Sequence, residues 1–141
     1  MIFYLREIAH ARAGDKGDTN NIGLIAYEPA FYPMIVEQIT SERIREHFKG
    51  LVQGPVTRFE LPQLYAMNFV LERALGGGVT RSLSLDPHGK SYSALILTIP
   101  VSVPEDLSLK LLQAGRKPLP EDTDAGPWPG ADVRPEGAAA R

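Results

Sequence analysis

Proline placement constrains this chain most. Six of its 12 prolines fall in residues 104–141. Proline fixes φ and donates no amide hydrogen bond, so such a stretch supports neither a long helix nor a central strand. The same stretch carries 5 Lys+Arg against 7 Asp+Glu and holds the whole net charge of −2. Residues 1–103 carry 10 against 10. The 141-residue chain therefore reads as a domain over 1–103 and a Pro-rich acidic extension over 104–141. Leu107–Leu112 reads as one or two helical turns. Beyond it Pro118, Pro120, Pro127, Pro129 and Pro135 point to an extended course.

The domain is long enough to bury a core. It has no cysteine, which excludes a disulfide scaffold, a thiolate zinc site and a cysteine nucleophile. Near-neutral charge argues against a nucleic-acid partner, which needs a basic face. The opening Met1-Ile2-Phe3-Tyr4-Leu5-Arg6-Glu7 lacks the basic and apolar regions of a secretory signal, and no apolar run approaches a membrane span. The expectation is a cytoplasmic protein with no membrane partner.

Residues 2–9 carry β-branched and aromatic residues in alternation and read as a strand. Residues 13–21, polar with two glycines, read as a loop, and 22–27 as a short buried strand. Phe31, Ile35 and Ile39 share a helical face, with Pro33 tolerable only in the first turn. A second helix at 41–49 has Thr40 or Ser41 as its cap, Ile44, Phe48 and Leu51 on one face, and Gly50 at its end. Residues 55–60 read as a strand. Leu64, Met67, Leu71 and Leu75 predict an apolar helix over 62–75, opened by Pro62. Residues 79–85 and 92–99 flank the turn sequence Asp86-Pro87-His88-Gly89-Lys90 and read as a hairpin. The sum is an α+β fold, helices on one face of a mostly antiparallel sheet, with a ferredoxin-like arrangement the nearest architecture.

Two glycine-bearing segments hold the chemistry. In the first, Arg12 and Lys16 offer charge to a carboxylate or phosphate, and Asn21 can orient it. Asp15 and Asp18, with His10 just upstream, are candidates for proton transfer. A plainer reading stands beside this one: a solvated loop whose Asp and Asn side chains cap their own turn, and a histidine at the sheet rim. The second segment, Gly76-Gly77-Gly78-Val79-Thr80-Arg81-Ser82, offers Thr80 and Arg81 as donors, or is only a flexible connection. Asn68, inside an apolar stripe, either braces a loop or faces a ligand. His47 and His88 read as surface residues. No two histidines have metal-ligand spacing, so neither a metal nor another cofactor is expected.

The blocks Leu5-Arg6-Glu7-Ile8-Ala9-His10-Ala11-Arg12-Ala13-Gly14-Asp15-Lys16-Gly17-Asp18, Asn21-Ile22-Gly23, Asn68-Phe69-Val70-Leu71 and Leu75-Gly76-Gly77-Gly78-Val79-Thr80-Arg81-Ser82-Leu83 resemble the C-terminal domain of the acyclic terpene utilisation (AtuA) proteins. The resemblance runs over about residues 3–101. It implies a ferredoxin-like domain that usually follows a much larger one, in catabolism of acyclic terpenoids through acyl-CoA esters. It brings no catalytic residues with it. It implies a separate large AtuA-type subunit as partner. A homo-oligomer, with or without that subunit, is also expected.

Two functions are open. In one, the chain is the small subunit or stand-alone domain of an AtuA-type system, binding a carboxylate, phosphate or CoA-ester group between the two glycine loops. It would then be the accessory part of an acyl-CoA hydratase, hydrolase or lyase. In the other, it is a non-catalytic oligomerisation module whose charged loops are paired internally.

Overall fold

The computed structural model describes residues 1–78, 86 and 88–123. Strand β1 (Ile2–Tyr4) runs into a 3-10 turn at Leu5–Glu7, which breaks the strand expected over 2–9. Leu5, with no surface exposed, anchors that turn in the core. Strands β2 (Ala9–Lys16) and β3 (Thr19–Ala26) form a hairpin in which Lys16 faces Thr19. The loop expected over 13–21 is therefore strand on both sides of a two-residue turn. Gly17 adopts φ 62° at the first turn position, and Asp18 keeps a negative φ. A turn of this hand suits the right-handed twist of the flanking strands. Polarity misled the reading because this end of the hairpin projects polar side chains.

A 3-10 turn at Pro29–Phe31 leads into α1 (Tyr32–Gln38), followed by α2 (Ser41–His47). Pro33 sits in the first turn of α1, and the Thr40 hydroxyl accepts from the Arg43 amide at 3.2 Å to cap α2. Ile35, Ile39, Ile44 and Phe48 are buried, as the helical spacing predicts, whereas Leu51 is exposed. Arg43, itself buried, donates to the carbonyls of Gln38 and Pro100 and so ties α1 to the far end of the domain. Burial lowers its pKa from the usual guanidinium value.

β4 (Val56–Leu61) and β5 (Ala66–Leu71) come next, joined by a 3-10 turn at Pro62–Leu64. The helix expected over 62–75 is thus a turn and a central strand. Tyr65 takes the left-handed conformation, φ 50°, and ends the turn begun by Pro62. Met67, Phe69 and Leu71 are buried at a period of two. An apolar run flanked by turns fits a central strand as well as a helix by periodicity, and pairing on both sides favours the strand here. The sheet order is β2-β3-β5-β4, antiparallel throughout.

Of the hairpin expected over 79–99, residues 79–85 lie outside the described residues, and the second arm is a helix, α3 (Tyr92–Ile96). Asp86 accepts from the amides of Lys90 and Ser91 at 3.1 and 3.0 Å, a turn that launches the helix. Tyr92 and Ile96, four apart, are its buried pair. β6 (Pro100–Ser102) pairs antiparallel with β1 and leads into α4 (Glu105–Gln113). Residues beyond α4 return to β1: Leu119 donates to the Ile2 carbonyl at 2.8 Å, and Arg116 lies 3.3 Å from Glu7.

The fold is α+β, with helices on one face of the antiparallel four-stranded sheet. Alternating burial along the strands assigns the faces. Ile22, Leu24, Met67, Phe69 and Leu71 point to the helices and are buried. The outer face carries Arg12, Asn21, Gly23, Ile25, Asn68, Val70 and Phe59. Among the described residues no helix is long and apolar enough to cross a membrane.

Candidate functional site on the outer face of the sheet

The hairpin register builds the site. Arg12 faces Gly23, Gly23 faces Asn68, and Asn68 faces Phe59, one row across all four strands. Gly14 faces Asn21 in the next row, and Lys16 lies two residues further toward the tip. Strand pleating sends His10, Arg12 and Lys16 to the same side. Gly14 and Gly23 add no side chains there, so they leave a floor of bare backbone. A cavity of ≈ 340 Å³ opens over this floor, lined by Arg12, Gly14, Asn21, Gly23, Ile25 and Lys90.

Lys90 comes from the turn before α3. Its ammonium reaches over edge strand β2, donates to the Ala13 carbonyl at 3.4 Å and stands 3.9 Å from Asp15 Oδ1. With Arg12 it gives the cavity two cationic lining residues, and Lys16 stands on the same strand face nearer the tip. Neither Arg12 nor Lys16 has an ion-pair partner among the described residues. His10 shares the face one row away and packs on the Tyr27 ring, centroids 5.3 Å apart.

The two glycine segments do meet, but away from this cavity. Asp18 Oδ1 accepts from the amides of Leu75 and Gly77 at 3.0 and 2.8 Å, and the Asp18 carbonyl accepts from Ala74 at 2.9 Å. A Cβ on Gly78, φ 92°, would stand 2.9 Å from the Gly17 carbonyl oxygen, so only glycine permits this approach. A second cavity of ≈ 350 Å³ lies beside this junction, with Asp18, Gln53, Arg73, Gly76, Gly77 and Tyr92 in its wall. The Tyr92 hydroxyl donates to the Ala74 carbonyl at 2.6 Å, and burial raises its pKa, so it is a neutral donor. Among the described residues no three His, Asp or Glu side chains gather as metal ligands.

These strands and the clasp between them all lie within residues 3–102. The AtuA ferredoxin-like domain family matches residues 3–102. The chain belongs to this family. No curated protein and no solved structure matches it.

Within the AtuA ferredoxin-like domain the sequence-predicted residues separate. Arg12, Lys16, Asn21, Asn68 and His10 share the outer face. Asp15 points to the opposite side, where its carboxylate meets His88 Nδ1 at 3.2 Å and Lys90. Asp18 is engaged by the amides of the 75–77 segment. Thr80 and Arg81 lie outside the described residues. Sequence reasoning missed Lys90, which it placed in a hairpin turn, and the floor residue Gly23. A glycine amid the apolar strand residues 22–27 was the available signal, since strand glycines mark close backbone approach.

Proposed function

We propose that this AtuA-type domain binds an anionic group — carboxylate, phosphate or the phosphates of a CoA ester — on the outer face of the β2–β3 hairpin. The observation that carries the reading is the cavity over the bare Gly14–Gly23 floor, lined by Arg12 and Lys90, with Lys16 on the same strand face toward the tip. Arg12 would grip two oxygens as a fork, and the lysines would act as point charges. Asn21 and Asn68 would orient the group, and His10 stands nearest on that face for proton transfer. In this reading the domain is the accessory part of an AtuA-type system acting on acyclic terpenoid acyl-CoA esters, beside a large AtuA-type partner.

A second reading, a structural module with internally paired loops, draws support from the two acids. Asp15 is paired with His88 and Lys90, and Asp18 with backbone amides. The unpaired cations across the strand favour the binding reading over it. Isothermal titration of the full chain with coenzyme A, and separately with inorganic phosphate, tests the choice. Binding that Arg12→Ala weakens by about tenfold or more supports the site, because a hydrogen bond to a charged group contributes roughly 1.5–3 kcal/mol. Equal affinity in Arg12→Ala, or no binding of either probe, overturns it.

A further inference from the structure

The two edges of the four-stranded sheet are treated differently. Edge strand β2 is crossed by Lys90, whose ammonium sits on the Ala13 carbonyl. Edge strand β4 pairs with β5 alone, and among the described residues no strand lies along its other side. Its sequence, Val56-Thr57-Arg58-Phe59-Glu60-Leu61, is rich in strand formers and has no lysine, proline or glycine. Sheet edges that must stay single are normally blunted by charged side chains, proline, a bulge or a cover; β4 has only the oppositely charged Arg58 and Glu60, which a second copy of the strand can match. On the outer face of β4, Phe59 and Leu61 are 52% and 43% exposed. On its other face Arg58 donates to the Val36 and Ile39 carbonyls at 2.7 and 3.1 Å, which fixes its position. Glu60 lies 3.7 Å from Arg58, with its side chain 48% exposed.

We propose that β4 pairs antiparallel with β4 of a second copy of this chain, about a two-fold axis through Phe59, joining two four-stranded sheets into one of eight strands. Charge selects this register. A two-fold axis normal to the sheet keeps each face on its own side, so it passes beside a residue that faces its own copy. An axis at Arg58 sets arginine against arginine, and one at Glu60 sets glutamate against glutamate. Like charges directly opposite destabilise a strand pair. An axis at Phe59 sets Arg58 against Glu60 of the second copy, twice over. It also stacks Phe59 on its equivalent and places Thr57 against Leu61, which covers the exposed apolar side chains of the outer face. An axis at Thr57 leaves both charges without an opposite partner. The interface leaves Arg12, Lys16 and Lys90, across the sheet, untouched.

The full chain, which contains no cysteine of its own, makes the test direct. Sedimentation and light scattering over a concentration series are expected to give twice the 15.5 kDa chain mass. Phe59→Cys is expected to form a disulfide-linked dimer on mild oxidation. Thr57→Cys alone is not, whereas a mixture of Thr57→Cys and Leu61→Cys chains is. Phe59→Glu, at an exposed position that circular dichroism should show still folded, is expected to weaken the dimer by about tenfold or more. A monomer at every concentration overturns the proposal. So does a dimer that Phe59→Cys fails to link.

Discussion

The two sides of the β2–β3 hairpin use charge in opposite ways. On one side and at the tip, Asp15 and Asp18 are engaged by neighbours: a histidine and a lysine for the first, two backbone amides for the second. On the other, Arg12 stands beside a backbone floor and Lys16 follows it toward the tip, neither with an ion-pair partner among the described residues. One-residue alternation along a strand is enough to separate the two roles. The acids close the protein on itself, and the cations leave it open to something else.

The largest expected effect breaks the closed side. Asp18→Ala deprives two amides of a charged acceptor and is expected to lower unfolding stability by about 2–3 kcal/mol. Urea denaturation measures this. Arg12→Ala in the same assay should change stability by less than about 0.5 kcal/mol, since it removes a surface side chain with no such role. Equal losses in the two variants would erase the contrast between the sides.

Gly23→Val sharpens the open side. The nearest atom to an added Cβ is the Arg12 carbonyl oxygen at 3.9 Å, and no positive φ stands in the way. Valine suits a strand, so stability should hold or rise by up to about 1 kcal/mol. The same side chain fills the floor between Arg12 and Asn68. Coenzyme A titration should then show affinity reduced by about tenfold or more with the fold intact. Undiminished binding would move the ligand elsewhere.

The smallest effect concerns the turn that brings Lys90 to the rim. The Ser91 hydroxyl, with the Ser91 and Lys90 amides, holds the Asp86 carboxyl below its ordinary value of 3.8. A carboxyl depressed in the folded state stabilises above its unfolded pKa. That contribution is lost as pH falls through the folded value. The stability gap between the natural chain and Asp86→Asn should therefore be present at about pH 5 and shrink toward about pH 3. A gap that stays constant over this range would remove Asp86 from the acid response.

How much of the fold and the site was legible depends on whether local pattern and tertiary context agreed. Phe31, Ile35 and Ile39 carry one period only, and Thr40 caps the next helix, so α1 and α2 were readable. Residues 62–75 satisfy both periods at once. Leu64, Met67, Leu71 and Leu75 fit a helix, and Met67, Phe69 and Leu71 fit a strand. Pairing with β3 and β4 decides for the strand, and pairing is not local information. Polar residues 13–21 concealed a hairpin because both arms show their outer face to solvent near the tip. Arg12, Lys16, Asn21 and Asn68 were found by chemical type, and only the register put them on one face. Lys90 was out of reach of pattern altogether, because it arrives over a strand edge from a turn 77 residues beyond Ala13.

The pairing of β1 with β6 has a kinetic consequence. The hairpins β2–β3 and β4–β5 close short loops, whereas Ile2 meets Ser102 only after nearly the whole domain has been threaded between them. Loop-closure entropy penalises that contact most, and residues 116–119 can settle against β1 only afterwards. Folding is thus expected to assemble the hairpin face first and join the ends last. The cationic floor would exist on a chain whose first and last strands have yet to meet.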